Sequence, residues 1–252
     1  MPIIQSLDRA LTILDLFDEH NRELKITEIS ARVGLHKSTV HSLLKTLQLH
    51  RYIEQDERGQ YRLGMRLLEK GQLLLQSFDI REIAGGPLRE LSAETGQTVH
   101  LVIRDGAEGI YIDKVEGRKA AIRYSRIGRR VPLHSSAVGK VLAAFLPEGE
   151  LDRILNGYAY SVHTPHTIAS EAAFREELQT VRDLGIAYDR EENEPGVRCA
   201  AAPVYDHDGR VAAAVSISTM ASAVSGEELA SFAERLRETA ERISRGLGYR
   251  LR

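Results

Sequence analysis

Residues 27–47 read TEISARVGLHKSTVHSLLKTL, and this stretch decides the fold of the N-terminal part of the chain. Thr27 can cap a helix that Gly34 ends, because a threonine oxygen accepts hydrogen bonds at a helix start and glycine tolerates the left-handed conformation at a helix end. A further helix begins near Lys37 and presents apolar residues on one face. These residues are Val40, Leu43, Leu44 and Leu47. The stretch therefore predicts two helices joined by a tight turn.

The flanking residues extend this helix pair into a larger motif. Residues 5–18 have apolar side chains at helical spacing, and residues 52–54 and 60–63 have the composition of two short strands. Between the strands, residues 56–59 read DERG, which favours the turn of a hairpin. Helix, helix, turn, helix and hairpin is the order of a winged helix-turn-helix, which we predict for residues 1–64.

The charge distribution points to DNA binding by one helix. Residues 1–63 contain nine Lys and Arg against nine Asp and Glu, so the domain as a whole is not basic. No acidic residue occurs from Ile29 to Ile53, however, and a helix without carboxylates does not repel phosphates. The alternative is a solvated helix face with capping hydroxyls. The candidate DNA-binding residues are Lys37, Ser38, Thr39, His41, Ser42 and Lys45, with Arg58 in the hairpin turn.

A linker follows the first domain. Residues 63–80 predict a helix with one apolar stripe, which needs either a second copy of the chain or the chain's own second domain as its partner. The stripe consists of Leu63, Leu67, Leu68, Gly71, Leu74, Leu75 and Phe78. Gly85, Gly86 and Pro87 then predict a break in the chain. We therefore assign the linker helix and joint to residues 65–86, and a second domain to residues 87–252.

The second domain interleaves strand and helix signals. Helices are predicted over residues 88–94, 138–145 and 170–184 and from Ser225 onward. Strands are predicted over residues 98–103, 110–112, 121–124, 186–188, 197–204 and 211–217. This order predicts an α+β domain around one antiparallel sheet.

Two features of the second domain suggest a ligand site. In residues 211–218 the odd positions are bulky and typical of core, whereas the even positions are small and include Ser216 and Ser218, which leave room and offer hydrogen bonds. Ser135 and Ser136 precede a helix whose free N–H groups would suit a carboxylate, although a plain helix cap is an equal alternative.

Composition excludes several classes of protein. The chain has 252 residues and a net charge of −2, so any nucleic-acid surface is a local patch. A single cysteine excludes an intrachain disulfide and a zinc site of the Cys-x-x-Cys kind. No apolar run reaches the roughly 18 residues of a transmembrane helix, and the first residues lack the regions of a signal peptide. We expect a cytoplasmic protein with no cofactor, no metal and no membrane partner.

Three motifs resemble the IclR family of bacterial transcriptional regulators. They are LHKSTVHSLLKTL at 35–47, GRRVPLHSSAVGK at 128–140 and YDREENEPGVRCAAAPV at 188–204. The resemblance spans essentially the whole chain. It implies a winged helix, a linker helix that dimerises, and a C-terminal GAF-like domain whose effector controls DNA binding. The residues that the resemblance assigns to the effector cavity are Ala137, Val138, Asp189, Cys199, Ser216 and Ser218.

The resemblance also implies partners and one departure. We expect a homodimer, with tetramers allowed by the family, that binds an inverted-repeat operator in double-stranded DNA and responds to a small organic acid. Repression is the expected direction. Family members often carry Arg where this chain has Ser42, which removes a cation from the reading helix.

Two other functions are compatible with the residue types. A cysteine-dependent enzyme would use Cys199 as nucleophile, His134 as base and Asp189 to orient the base, although no local nucleophile motif is present. A metal protein would use His163 and His166, but Pro165 lies between them and no third ligand is near in sequence.

Overall fold

The protein divides into two compact units. The structure is a computed structural model that describes residues 3–18, 20–76, 79–119 and 125–250. The units are Met1–Ser77 and Phe78–Arg252, so the division lies inside the segment assigned to the linker and joint. In the described ranges no helix combines the length and apolar character that crossing a bilayer requires.

The N-terminal unit is the predicted winged helix-turn-helix. Its elements are α1 (Gln5–Asp15), β1 (Leu24–Lys25), α2 (Ile26–Val33), α3 (Lys37–Leu49), β2 (Ile53–Gln55), β3 (Gln60–Leu63) and α4 (Met65–Gln76). The strands form an antiparallel sheet in the order β1-β3-β2, and the two-residue strand β1 was not predicted. The three helices α1–α3 meet the sheet in one core. Its fully buried members include Ile13, Ile29, Val40, Leu44 and Ile53.

The start of α2 differs from the prediction. The helix begins at Ile26, one residue before Thr27, and the Lys25 N–H donates to Glu28 Oε2 at 2.7 Å. A carboxylate in the first turn therefore replaces the expected threonine cap, as the positive end of a helix allows. Gly34 ends the helix with φ +66°, as predicted.

The C-terminal unit is built around one antiparallel sheet, as predicted. Its helices are α5 (Asp79–Thr95), α6 (Ala137–Ala144), α7 (Glu148–Leu155), α8 (Glu171–Leu184) and α9 (Gly226–Gly246). Its strands are β4 (Thr98–Asp105), β5 (Glu108–Val115), β6 (Arg130–Pro132), β7 (Ala187–Arg190), β8 (Val197–Tyr205) and β9 (Val211–Met220). The strand order is β6-β5-β4-β9-β8-β7.

Each face of this sheet has its own core. Val215 and Ile217 of β9 pack with α5 and α9, whereas Ala214 of the same strand packs with α6 and α8. The alternation predicted for β9 is thereby confirmed from Ala213 onward, and Ser216 and Ser218 lie buried on the α6 side. It is wrong at the start of the strand, where Val211 packs against the core on the α6 side and Ala212 against the core on the α9 side, because the register with β8 shifts there.

The predicted break at Gly85-Gly86-Pro87 is wrong, because α5 continues through all three residues. Glycine and proline weaken a helix by roughly 1 and 3 kcal/mol. Here Ala84 and Leu88 flank them and are fully buried in the core shared with α9, so packing outweighs the low helix propensity. Helix α7, strand β6 and the part of α5 at residues 81–87 were not predicted. The predicted strand at 121–124 lies outside the described residues.

The buried face of α3 generates a stability prediction. We expect Leu44→Ala to lower the opening free energy of α3 by about 2–5 kcal/mol, because it leaves a cavity in a closed core. The measurement is amide hydrogen exchange of peptides covering residues 37–49. Leu49→Ala on the same helix is the control, since Leu49 is 79% exposed. Equal protection in both variants would contradict this packing.

Candidate DNA interface and effector site

The α3 helix presents the candidate DNA-binding residues together. Five of the six residues are exposed and Thr39 is half-buried, while Val40 and Leu44 hold the opposite side of the helix in the core. The exposed residues are Lys37, Ser38, His41, Ser42 and Lys45. The structure thus places five of the predicted residues as exposed polar side chains on one helix.

The start of α3 is a positive helix end that the chain leaves free. His36 is the N-cap residue and its side chain makes no capping hydrogen bond. The α3 sequence contains no carboxylate, and in the part of the chain that the structure describes the N–H groups of Ser38 and Thr39 make no hydrogen bond. Helix starts of this kind bind phosphate oxygens.

Ser42 has a different role from the arginine expected in the family. Its hydroxyl donates to the Ser38 carbonyl at 3.1 Å, and the Thr46 hydroxyl repeats this bond to the Ser42 carbonyl at 3.0 Å. Both hydroxyls are therefore turned back onto the helix. His41 and Lys45 are the longer side chains that remain on the exposed face beside Ser42.

Arg58 lies at the tip of the wing rather than on α3. Asp56 Oδ1 accepts the backbone N–H groups of Arg58 at 2.9 Å and Gln60 at 2.8 Å, and Gly59 adopts φ +77°. These contacts fix the predicted turn and leave the Arg58 side chain exposed.

In the C-terminal unit, strand register assembles a polar row across four strands. Asp189 on β7 pairs with Cys199 on β8, Cys199 pairs with Ser218 on β9, and Ser218 pairs with Thr98 on β4. Directly paired residues on neighbouring strands point to the same face. Ser216 lies two residues from Ser218 on the same face of β9, opposite His100. The register therefore brings together four of the six predicted effector residues.

Hydrogen bonds link Cys199, Ser218, His100 and Ser125 into an uncharged cluster. Cys199 Sγ lies 3.2 Å from Ser218 Oγ, and Ser218 Oγ lies 3.4 Å from His100 Nδ1. The other ring nitrogen, His100 Nε2, lies 2.7 Å from Ser125 Oγ. Burial, helped by Lys114, lowers the pKa of His100 to about 3, so its ring is neutral. Thr98 is fully buried, and its hydroxyl has no hydrogen-bond partner in the described ranges.

The other two predicted effector residues begin α6. Ser136 accepts from the Gly139 N–H at 3.1 Å, so it is the helix cap. The backbone N–H groups of Ala137 and Val138 make no hydrogen bond within the described part of the chain. Helix α6 packs on the same face of the sheet as the polar row. The arrangement offers two free N–H donors to an anion.

Three residues near this site were not singled out from the sequence. Lys140 is completely buried, and its ammonium group donates to Glu177, Glu192 and the Tyr188 carbonyl at 2.8–2.9 Å. Asn193 Oδ1 accepts from the Ser135 hydroxyl at 3.0 Å. His100 is the third. Only the strand register identifies His100, but Lys140 was visible as a charged residue inside an otherwise apolar helix.

The cysteine-enzyme alternative lacks its geometry. His134 Nδ1 lies 3.0 Å from the Tyr158 hydroxyl and His134 Nε2 lies 3.0 Å from the Ser161 carbonyl, so both ring nitrogens are engaged away from Cys199. Burial raises the pKa of the Cys199 thiol, which is the opposite of what a nucleophile needs.

The histidine pair gains no third metal ligand in the described part of the structure. His163 stacks on His134 with ring centroids 6.0 Å apart. Across the described residues there is no group of three or more His, Cys, Asp or Glu side chains that could hold an ion.

Asp189 generates a pH prediction. Burial raises its pKa to about 7, so between about pH 4 and 7 the folded chain binds a proton that the unfolded chain has lost. The stabilisation relative to Asp189→Asn is therefore full near pH 4 and is lost as the pH rises through 7, by at most about 1.4 kcal/mol per pH unit. Urea unfolding of the wild type and Asp189→Asn at several pH values measures this difference. Exposed Asp183→Asn is the control, and parallel pH profiles for the wild type and Asp189→Asn would contradict the prediction.

Family comparisons match both units. Residues 6–57 match the IclR helix-turn-helix domain, and residues 72–245 match the C-terminal domain of bacterial transcriptional regulator IclR. HTH-type transcriptional regulator XynR of Escherichia coli K12 is 58% identical over 250 residues, which cover 99% of each chain. HTH-type transcriptional regulator KdgR of the same strain is 40% identical over 247 residues, covering 98% of this chain and 94% of KdgR.

A solved structure agrees with the fold. The crystal structure of Thermotoga maritima IclR has a TM-score of 0.79 and 37% identity, and the match covers 98% of this chain and all of that one. Domain matches, full-length relatives and the winged helix-turn-helix agree with one another. The chain belongs to the IclR family of bacterial transcriptional regulators, which bind DNA through the helix-turn-helix.

Proposed function

We propose that this regulator is a repressor whose affinity for its operator is controlled by a small organic acid bound in the C-terminal unit. One observation carries the proposal. The same chain combines a carboxylate-free helix exposed to solvent with a buried polar cluster next to a free helix N-terminus. The first suits phosphates and base edges, and the second suits a small anion with hydrogen-bonding groups.

On the DNA, α3 enters the major groove with its first turns. Lys37 and Lys45 neutralise phosphates, and His41 and Ser38 reach base edges or phosphate oxygens. Thr39 and Ser42 lie close to the helix surface, so they contribute short-range contacts. Arg58 at the wing tip touches the backbone or the minor groove.

The protein binds as a two-fold dimer. In the N-terminal unit, α1 and α4 expose large apolar side chains that a second copy would cover. These are Leu7, Leu11, Met65, Leu68 and Leu73, each more than half exposed. A two-fold dimer reads an inverted repeat with half-sites about one helical turn apart or a multiple of it. Dimers can pair further into tetramers.

In the effector site, the carboxylate accepts from the Ala137 and Val138 N–H groups. Asp189 does not oppose this, because its raised pKa keeps much of it protonated near neutral pH. Ser216 and Ser218 bind the polar remainder of the effector, and Cys199 packs against it as a small buried thiol. The site needs no metal and no cofactor.

Effector binding changes operator affinity by linkage. An acid that binds one arrangement of the dimer more tightly than the other shifts the dimer population toward that arrangement, by an amount set by the difference between the two affinities. Repression is the simplest outcome, since a dimer seated on an operator blocks other proteins by occupancy alone. The site of action is the cytoplasm, where bacterial DNA lies.

The effector half of the proposal is tested by a thermal-shift screen. The panel contains keto, hydroxy, aromatic and sugar acids, and an external dye is used because the chain has no Trp. A ligand at about 100 times its dissociation constant adds about 2.7 kcal/mol, which raises Tm by roughly 5–10 °C. The hit must then change the affinity of the protein for its operator DNA. No hit across the panel would contradict the effector half alone.

Lys45 gives the sharpest prediction for the DNA half. Lys45→Ala should weaken binding to operator and to unrelated DNA by the same factor and reduce the slope of log affinity against log salt by about 1, because one phosphate contact is lost. Fluorescence anisotropy at four salt concentrations measures both slopes. Lys70→Ala, an exposed position on α4, is the control. An unchanged slope for Lys45→Ala would remove this residue from the phosphate contacts.

Ser216 and Ser218 give the prediction for the effector half. Replacing both with Val should abolish the thermal shift produced by the screen's hit and leave operator binding of the effector-free protein unchanged. Because Val adds volume in a buried row, Ser216→Ala with Ser218→Ala is made in parallel and should show the same loss. Loss of operator binding in both double variants would mean that these residues are structural.

A further inference from the structure

A cavity of about 600 Å³ lies on the α9 side of the C-terminal sheet. It is bounded by the end of β8, by α9 and by the chain after α9. The effector cluster described above lies on the α6 side of the same sheet. Residues that line the cavity include Ala202, Tyr205, Ala240, Arg245 and Tyr249.

The cavity exists because β8 extends beyond the end of its neighbour β7. The pairing of these strands ends at Ala201 with Ala187, so residues 202–205 have β9 on one side only. The cavity floor beside this edge consists of small side chains, Ala202 and Ala240, which leave the space open. Volumes of 300–1,000 Å³ with mainly apolar linings are typical of small-molecule sites.

The exposed edge of β8 does not favour an added strand. Pro203 has no backbone N–H to donate. The Tyr205 N–H donates to Ser244 Oγ at 2.9 Å and is therefore already satisfied. Two of the backbone N–H groups that would hydrogen-bond to an added strand are therefore not available. The cavity suits a compact ligand better than an extended peptide.

The wall and the mouth of the cavity differ in chemistry. Tyr205 and Tyr249 form an aromatic wall, with ring centroids 5.0 Å apart and an interplanar angle of 26°. At the mouth, Arg245 and Arg250 are exposed, and in the described ranges neither guanidinium group makes a salt bridge or hydrogen bond. Arg237 is engaged by Glu234, and Glu241 is the one carboxylate in the lining. The mouth therefore keeps an excess of positive charge.

We propose that this cavity is a second ligand site, separate from the effector site, that takes a planar aromatic anion. The ring lies against the tyrosine wall and the small side chains of the floor. The anionic group reaches the guanidinium of Arg245, with Arg250 beside it. Arginine suits this role because its planar fork pairs with carboxylates and sulfonates and also stacks on aromatic rings.

The test uses the full chain and the fluorescent probe 8-anilinonaphthalene-1-sulfonate. We expect saturable binding of one probe per chain, about tenfold weaker in Arg245→Ala because a charge-assisted contact is lost. Arg242→Ala is the matched control on the same helix, since Arg242 pairs with Glu90 at 2.7 Å and does not line the cavity. Ser216→Ala with Ser218→Ala should bind the probe like the wild type.

Competition separates charge from apolar attraction. 2-Naphthoate should displace the probe at least tenfold more effectively than the neutral 2-naphthylmethanol. Absence of saturable binding, equal affinity in Arg245→Ala and wild type, or equal displacement by the two naphthalenes would each overturn the proposal. Probe affinity that falls as protein concentration rises would assign the cavity to contact with a second copy and would also overturn it.

Discussion

The buried ammonium group of Lys140 is the interaction on which the C-terminal site depends. It draws together α6, the Glu177 side chain of α8, the Tyr188 carbonyl of β7 and Glu192 in the loop after β7. A lysine without exposed surface is tolerated only when its charge is paired and its donors are satisfied, and here three acceptors meet that condition. Removing one member would leave an uncompensated buried charge, a loss that typically amounts to about 3–5 kcal/mol.

That ion pair also sets the geometry around the proposed effector. Lys140 is the fourth residue of α6, so anchoring it fixes the N-terminus of the helix, where Ala137 and Val138 offer their N–H groups. Glu192 fixes the loop from the other side, and Asp189 Oδ1 accepts from the Glu192 N–H at 2.7 Å. Because the Lys140 charge is paired inside the protein, backbone donors and uncharged side chains remain to bind the proposed effector. A site of this kind recognises an anion by hydrogen bonds rather than by a full opposite charge.

The sequence predicted those features that depend on local periodicity. The α3 face followed from apolar spacing, and the burial of Ser216 and Ser218 on one face followed from alternation along β9. Features that depend on strand register were out of reach, because nothing local in the sequence places Thr98 opposite Ser218 or His100 opposite Ser216. The helix through Gly85-Gly86-Pro87 was missed for a related reason. The helix propensity of these three residues is poor, and the tertiary packing of Ala84 and Leu88 maintains the helix.

The two units rely on opposite electrostatic conditions. On α3 the cations are exposed, so the contribution to DNA binding proposed for them is screened by salt and depends on counterion release. In the C-terminal unit the polar row is buried, and burial changes its charge: it lowers the pKa of His100, so the ring is neutral at pH 7, and it raises the pKa of Asp189 to about 7, so about half of this carboxyl group is protonated there. Salt therefore acts mainly on the first site, whereas rising pH acts on the second, since an ionised Asp189 would repel an anionic effector. In the proposed function the two affinities are thereby separated, so that effector occupancy does not follow the ionic strength that governs operator binding.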